Sequence, residues 1–222
     1  MKIAISGASG KTGYRIAEEA IKNNYKVLLL IRAGSVLPES LLSEEKVEIS
    51  IFSKESLDQA LQNCDSLIIA TGARPSIDLT GPCKIDARGV SNQVESCKRV
   101  GIKRIILVSS LCTGRLIHPL NLFGFILLFK AIGEKALQKS GLDWTIIRPG
   151  GLNEQEDNLK NLSILYTEAN TQEEGYIPRR LVAKSCIEAL KTQESINQII
   201  EITSSKDIKN ISMKQAIQSF QG

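Results

Sequence analysis

The chain has 222 residues, 42% of them hydrophobic, which is enough for one domain with a full core and too apolar for a disordered chain. Lys and Arg number 28 against 24 Asp and Glu, and the resulting net charge of +4 is too mild to point to nucleic acid, where a clustered basic face is expected. The five cysteines (Cys64, Cys83, Cys97, Cys112 and Cys186) form no C-x-x-C pair and have no zinc-ligand companions at close spacing, so they read as reduced thiols and no metal is expected.

Strand and helix signals alternate from end to end. A short apolar strand is expected at 3–6, with no targeting segment in front of it. A helix follows at 11–22, and a strand at 26–31 with VLLLI at its heart, the kind of run that is buried on both faces of a parallel sheet. Strands at 46–52 and 66–71 flank a short helix at 54–61. A helix at 86–100 ends at Gly101, where a left-handed cap would sit. Then come a strand at 104–109, a helix at 122–139, and a strand at 143–148 stopped by Pro149. Residues 150–177 are irregular and rich in Glu, Asp and Asn. A helix at 179–191, a strand at 199–202 and a helix at 213–220 close the chain.

This rhythm predicts a single α/β domain over 1–222, a doubly wound parallel sheet of the Rossmann type. No apolar run is long enough to span a membrane. Ligands of such sheets bind outside the carboxyl ends of the strands, so 150–177 is expected to be a loop on the substrate side.

The first strand runs into Gly7-Ala8-Ser9-Gly10-Lys11-Thr12-Gly13, which opens the first helix. A glycine motif at the first βα turn of such a unit is a strong signal for a dinucleotide. Gly7 allows the tight turn, Gly10 lets the backbone approach a pyrophosphate, and Gly13 lets the helix pack close. Ser9, Lys11 and Thr12 complete the cofactor-binding loop. The spacing is G-x-x-G-x-x-G. At the end of the second strand, where NAD enzymes keep an acidic residue for the ribose 2′-hydroxyl, stands Arg32. A guanidinium grips a 2′-phosphate with two hydrogen bonds and a carboxylate repels it, so the expected cofactor is NADP(H), with Lys11 close enough to assist.

By 108–152 a resemblance to a known family becomes specific, and its pieces run in order over nearly the whole chain. The stretches SGASGKTG at 6–13, ATGARP at 70–75, TGPCKID at 80–86, ILVSS at 106–110, HPLNLFG at 118–124 and SGLDWTIIRPGGL at 140–152 are similar to those of an atypical short-chain dehydrogenase/reductase of the NmrA-like, NAD(P)-binding group. The similarity is greatest to chloroplast and cyanobacterial members, which include the NADP-binding part of a chloroplast protein-import component. It is more distant to biliverdin-IXβ/flavin reductase. The resemblance implies that Thr71, Gly72 and Ala73 pass beside the adenosine and ribose. It implies that Ser109 and Ser110 stand where such reductases keep a catalytic serine, and that Lys130 contacts the nicotinamide ribose. It also implies that Pro149, Gly150 and Gly151 lie against the carboxamide.

Three positions depart from the pattern. Ile126 stands four residues before Lys130, where full acid catalysis places a tyrosine, and Tyr14, Tyr25, Tyr166 and Tyr176 lie elsewhere in the sequence. The third strand ends in Phe52-Ser53 where relatives carry an aspartate, and Leu181 replaces an aspartate of the late helix.

Other residues carry two readings each. Lys130 either serves the cofactor or pairs with Glu134 along one helix. Ser110 is either catalytic or a strand-end hydroxyl, and Ser109 points into the sheet. His118, the single histidine, either reaches the site mouth or shapes a loop beside Pro119. Residues 120–129, with Phe123, Phe125 and Phe129, are a buried helix, an apolar wall for a planar substrate, or a docking face for a protein partner. The acidic run 154–157 reads as a solvated loop. Two functions are expected from these residues. One is NADPH-dependent hydride transfer to a flat conjugated acceptor of flavin, quinone or tetrapyrrole type, with Ser110 and Lys130 as the catalytic pair. The other is a non-catalytic NADP(H)-binding redox sensor or assembly factor. The expected compartment is a cyanobacterial-type cytoplasm or a plastid stroma.

Overall fold

β1 (Lys2–Ser6) and β2 (Lys26–Ile31) are apolar at successive positions because both faces of the sheet are covered. In the computed structural model, which describes residues 1–73, 80–115, 119–122 and 125–220, Ile3, Ile5, Val27, Leu29 and Ile31 face one helical layer. Ala4, Leu28 and Leu30 face the other. α1 (Gly13–Lys22) lies between these two strands in sequence and buries Ile16, Ala17 and Ala20. β3 (Lys46–Glu48) is shorter than the apolar pattern suggests, because Ser53 turns back onto Ser50 and its hydroxyl accepts the Ser56 amide, capping α2 (Lys54–Leu61). β4 (Ser66–Ile69) is followed, after the undescribed residues, by a π-helical turn over Cys83–Gly89 that runs into α3 (Val90–Val100). Gly101, at φ +85°, ends that helix as expected.

β5 (Arg104–Val108) leads to α4 (Ile126–Gln138), which starts later than predicted, after Phe125 at φ +55°. β6 (Asp143–Pro149) follows. The stretch 150–177 is not irregular. It holds β7 (Gly151–Asn153), β8 (Ser163–Glu168) and β9 (Tyr176–Pro178), of which β7 and β9 form a small parallel pair. α5 (Arg179–Lys191), β10 (Gln198–Ser205) and α6 (Met213–Phe220) complete the fold.

The main sheet has the order β3-β2-β1-β4-β5-β6-β10-β8. All neighbours are parallel except β8, which runs antiparallel to β10 at the edge. α1, α5 and α6 cover one face, and α2, α3 and α4 the other. The strand order reverses at β1, so the connections leaving β1 and β4 diverge to opposite faces and open a crevice between their carboxyl ends.

One buried charge cluster fixes the far end of β6. Arg148 makes two hydrogen bonds to Glu134 of α4, at 3.0 and 2.7 Å, and lies 3.4 Å from Glu201 of β10. Glu201 in turn accepts the amides of Asn170, Thr171 and Gln172. Burial alone would lower the Arg148 pKa, but the two carboxylates outweigh it and hold it above the ordinary value.

Candidate functional site

The crevice is lined first by the glycine loop. Gly7, at φ +79°, turns the chain out of β1, and a Cβ there would lie 3.0 Å from the Ala70 carbonyl and the Thr71 nitrogen. The Gly10 amide closes the turn on the Gly7 carbonyl at 2.9 Å. A Cβ on Gly13 would stand 2.1 Å from that same carbonyl, so only glycine lets α1 begin where it does. Among the described residues the amides of Ser9, Lys11 and Thr12 meet no acceptor. Open amides at a helix N-terminus, with the helix dipole behind them, suit a phosphate group. The Thr71 hydroxyl beside this loop is buried and has no partner among the described residues. An unmet buried hydroxyl is satisfied by a polar ligand, so the residues present fit a dinucleotide.

Beyond Thr71 the chain passes over a buried ion pair. The Lys130 ammonium donates to Asp86 Oδ1 at 2.8 Å, and the Ala73 amide donates to Asp86 Oδ2 at 3.1 Å. A Cβ on Gly72 would lie 3.6 Å from both the ammonium and Oδ1. The helical Lys130–Glu134 pair weighed in the sequence does not form: Lys130 binds Asp86 and Glu134 binds Arg148.

A second cluster stands at the ends of β5 and β6. Ser109 is buried, with its hydroxyl 3.3 Å from that of Thr113. Ser110 is half-buried, and its hydroxyl makes no hydrogen bond among the described residues. The Leu111 amide donates to the Pro149 carbonyl, which ties the two strand ends together. Gly150 and Gly151 are packed hard. A Cβ on Gly150 would lie 2.5 Å from the Gly175 carbonyl, and one on Gly151 would lie 2.6 Å from the ring of Tyr176. Tyr176, remote in sequence, is thereby brought onto Gly151 with its side chain largely in solvent. Ile126, in place of the acid, is buried with Leu111, Cys112 and Leu127.

Arg32 is exposed at the end of β2 and makes no ion pair among the described residues. The acidic run 154–157 is an exposed loop, as expected, but its two glutamates are paired with cations. Glu154 pairs with Lys11, Arg15 and Arg179, at 3.0, 3.1 and 2.9 Å. Glu156 pairs with Arg15 and Arg180, and Arg180 also holds Glu18. The hydrogen bond from Arg179 is the main cause that lowers the Glu154 carboxyl to about 2. Burial acts to raise Glu156, and Arg15 and Arg180 outweigh it. His118, Phe123, and Arg74 and Pro75 of the ATGARP stretch lie outside the described residues. The sequence signals missed Asp86, Arg15, Arg179, Arg180 and Tyr176, each of which meets a partner from another element of the fold.

No helix among the described residues is long and apolar enough to cross a membrane. A family model described as NAD(P)H-binding matches residues 7–193. A chloroplastic protein of Arabidopsis thaliana, At2g34460, is 32% identical over the whole of this chain and 83% of its own length. Protein TIC 62, chloroplastic, of Pisum sativum is 34% identical over 71% of this chain and 34% of that protein. Sanguinarine reductase of Eschscholzia californica is 28% identical over 92% of this chain and 89% of that protein. Among solved structures, the oxidoreductase ylbE of Lactococcus lactis superposes with a TM-score of 0.81 at 22% identity, covering 100% of this chain and 97% of that one.

Proposed function

Since the chain belongs to the NAD(P)H-binding family, as an atypical short-chain dehydrogenase/reductase of the NmrA-like group, we propose that it is an NADPH-dependent reductase of a flat conjugated acceptor of flavin, quinone or tetrapyrrole type. The observation that carries the choice of acceptor is Ile126. Where a phenol would donate a proton, the chain buries an aliphatic side chain among Leu111, Cys112 and Leu127. An acceptor that takes hydride into a conjugated system and its proton from water needs no acid there. When bound, the cofactor supplies the hydride.

The chain's own groups place the reactants. Gly7, Ser9, Gly10, Lys11, Thr12 and Gly13 hold the diphosphate, Arg32 the 2′-phosphate, and Thr71, Gly72 and Ala73 the adenosine side. Lys130 meets the nicotinamide ribose, Pro149, Gly150 and Gly151 back the ring, and Ser110, next to the buried Ser109, orients the acceptor. Tyr176 and the partly exposed Leu152 offer the acceptor an apolar face on the strap 150–177. The similarity to a protein named as a reductase supports this reading.

Optical assay of NADPH oxidation with a panel of flavins and quinones tests it. Turnover is expected. Tight NADPH binding without turnover, together with a co-purifying partner, overturns it in favour of a non-catalytic NADP(H)-binding module. That second reading is favoured by the exposed apolar side chains of Leu122 and Phe125, before the start of α4, and of Ile132 in its middle. The chloroplastic relatives make a plastid stroma or a cyanobacterial-type cytoplasm the proposed setting.

A further inference from the structure

Asp86 closes the TGPCKID stretch and was given no role of its own in the sequence, yet it is 2% exposed and lies against Gly72, Ala73 and Lys130. It lies on the π-helical turn Cys83–Gly89, and its two carboxylate oxygens serve two different elements. Oδ1 takes the Lys130 ammonium of α4, and Oδ2 takes the Ala73 amide after β4. α4 comes close enough for this because Gly133 faces the turn. A Cβ at Gly133 would lie 2.1 Å from the Asp86 carbonyl oxygen. Lys130 is one helical turn before Gly133 and so projects to the same side.

We propose that Asp86 is a positioning residue for cofactor binding, an inference that rests on the NADPH reading above. It holds the Lys130 ammonium under the Gly72–Ala73 backbone, where it meets the hydroxyls of the nicotinamide ribose. A lysine side chain is otherwise free to sample many rotamers, and ordering it before the ligand arrives removes that cost from binding. Asp86 also neutralises the ammonium in a largely buried place, where an unpaired charge is unfavourable. With Ile126 in place of a phenol, Lys130 has no acid to tune, and its remaining task is to donate hydrogen bonds in one fixed direction. The second carboxylate oxygen accepts the Ala73 amide, and Asn at this position keeps an oxygen for that bond, so the adenosine-side loop stays in place when the ammonium is released.

The test separates the two halves of the cofactor by titrating NADPH and, separately, adenosine 2′,5′-bisphosphate, which lacks the nicotinamide ribose. Asp86→Asn is expected to weaken NADPH about tenfold and to leave the bisphosphate within about twofold. Asp86→Glu recovers part of the loss. Lys130→Met gives the same selective loss and decides the matter if Asp86→Asn does not fold. The double variant loses no more than Lys130→Met alone. Equal loss of both ligands makes Asp86 a merely structural residue and overturns the inference, as does NADPH binding that ignores the substitutions. A wild-type protein that binds neither ligand overturns the cofactor reading itself, a different and distinguishable outcome.

Discussion

On the function proposed above, the choice between the two nicotinamide cofactors turns on Arg32. It stands exposed at the end of β2, and the next acidic residue in the chain is Glu39. A free guanidinium at that place can grip a 2′-phosphate by two charge-assisted bonds. Arg32→Asp removes them and adds repulsion, so NADPH affinity is expected to fall at least about tenfold while NADH affinity changes little. Titration of both cofactors checks this, and unchanged NADPH affinity sinks the assignment. The position of Arg32, exposed at the end of β2, was legible because its place relative to the glycine loop is set by local chain geometry. Lys130 was legible only in part. Its spacing from Glu134 in one helix predicts a neighbour, but it cannot show that Asp86, 44 residues earlier, takes the lysine, or that Arg148 takes the glutamate from the next strand. Long-range partners are decided by burial, where an unpaired charge is costly, and burial is a property of the assembled sheet.

At the scale of elements, the stretch 150–177 shows what pattern can and cannot reveal. β8 reads SILYTE, and its alternation buries Ile164 and Tyr166 against β10, a signal present in the sequence but surrounded by acidic and amide residues. β7 and β9 have three residues each, too short for any periodicity. Between them Glu154 and Glu156 clasp the glycine loop, α1 and the start of α5 through four cations. The clasp places an internal carboxylate on Lys11, which lies in the loop proposed to hold the diphosphate. Glu154→Gln is therefore expected to raise NADPH affinity a few-fold at low salt, with the gain closing at high salt. Titration at two ionic strengths reads this, and equal affinities at low salt refute it. Mild acid does not open the clasp. The folded Glu154 carboxyl titrates at about 2, below its ordinary 4.5, so the contribution is complete above about 4.5 and is lost as the pH falls through about 2. With the side chain 45% exposed, solvent screening keeps that contribution small.

At the scale of the whole molecule, the fold was legible because a sheet covered on both faces writes its strands as unbroken apolar runs, as in VLLLI and RIILV. The same double covering makes two cores, one on each face of the sheet, and raises the question of whether they melt as one. Two cysteines report on this. Cys97 of α3 lies in the core on one face and Cys186 of α5 in the core on the other, and neither is exposed. Burial pushes both thiols up to about 12, so at neutral pH neither is expected to react in the native protein. The sheet between the cores is continuous through β1, β4, β5 and β6, and each of those strands contributes side chains to both faces. Loss of either core therefore strips one face of the strands that hold the other. The two thiols are expected to become reactive together along a denaturant series, with one midpoint, when labelling is followed by peptide mass. Reaction of Cys186 well before Cys97, or the reverse, would show that one helical layer opens while the other stays packed, and the single cooperative domain expected over 1–222 would have to be divided at the sheet.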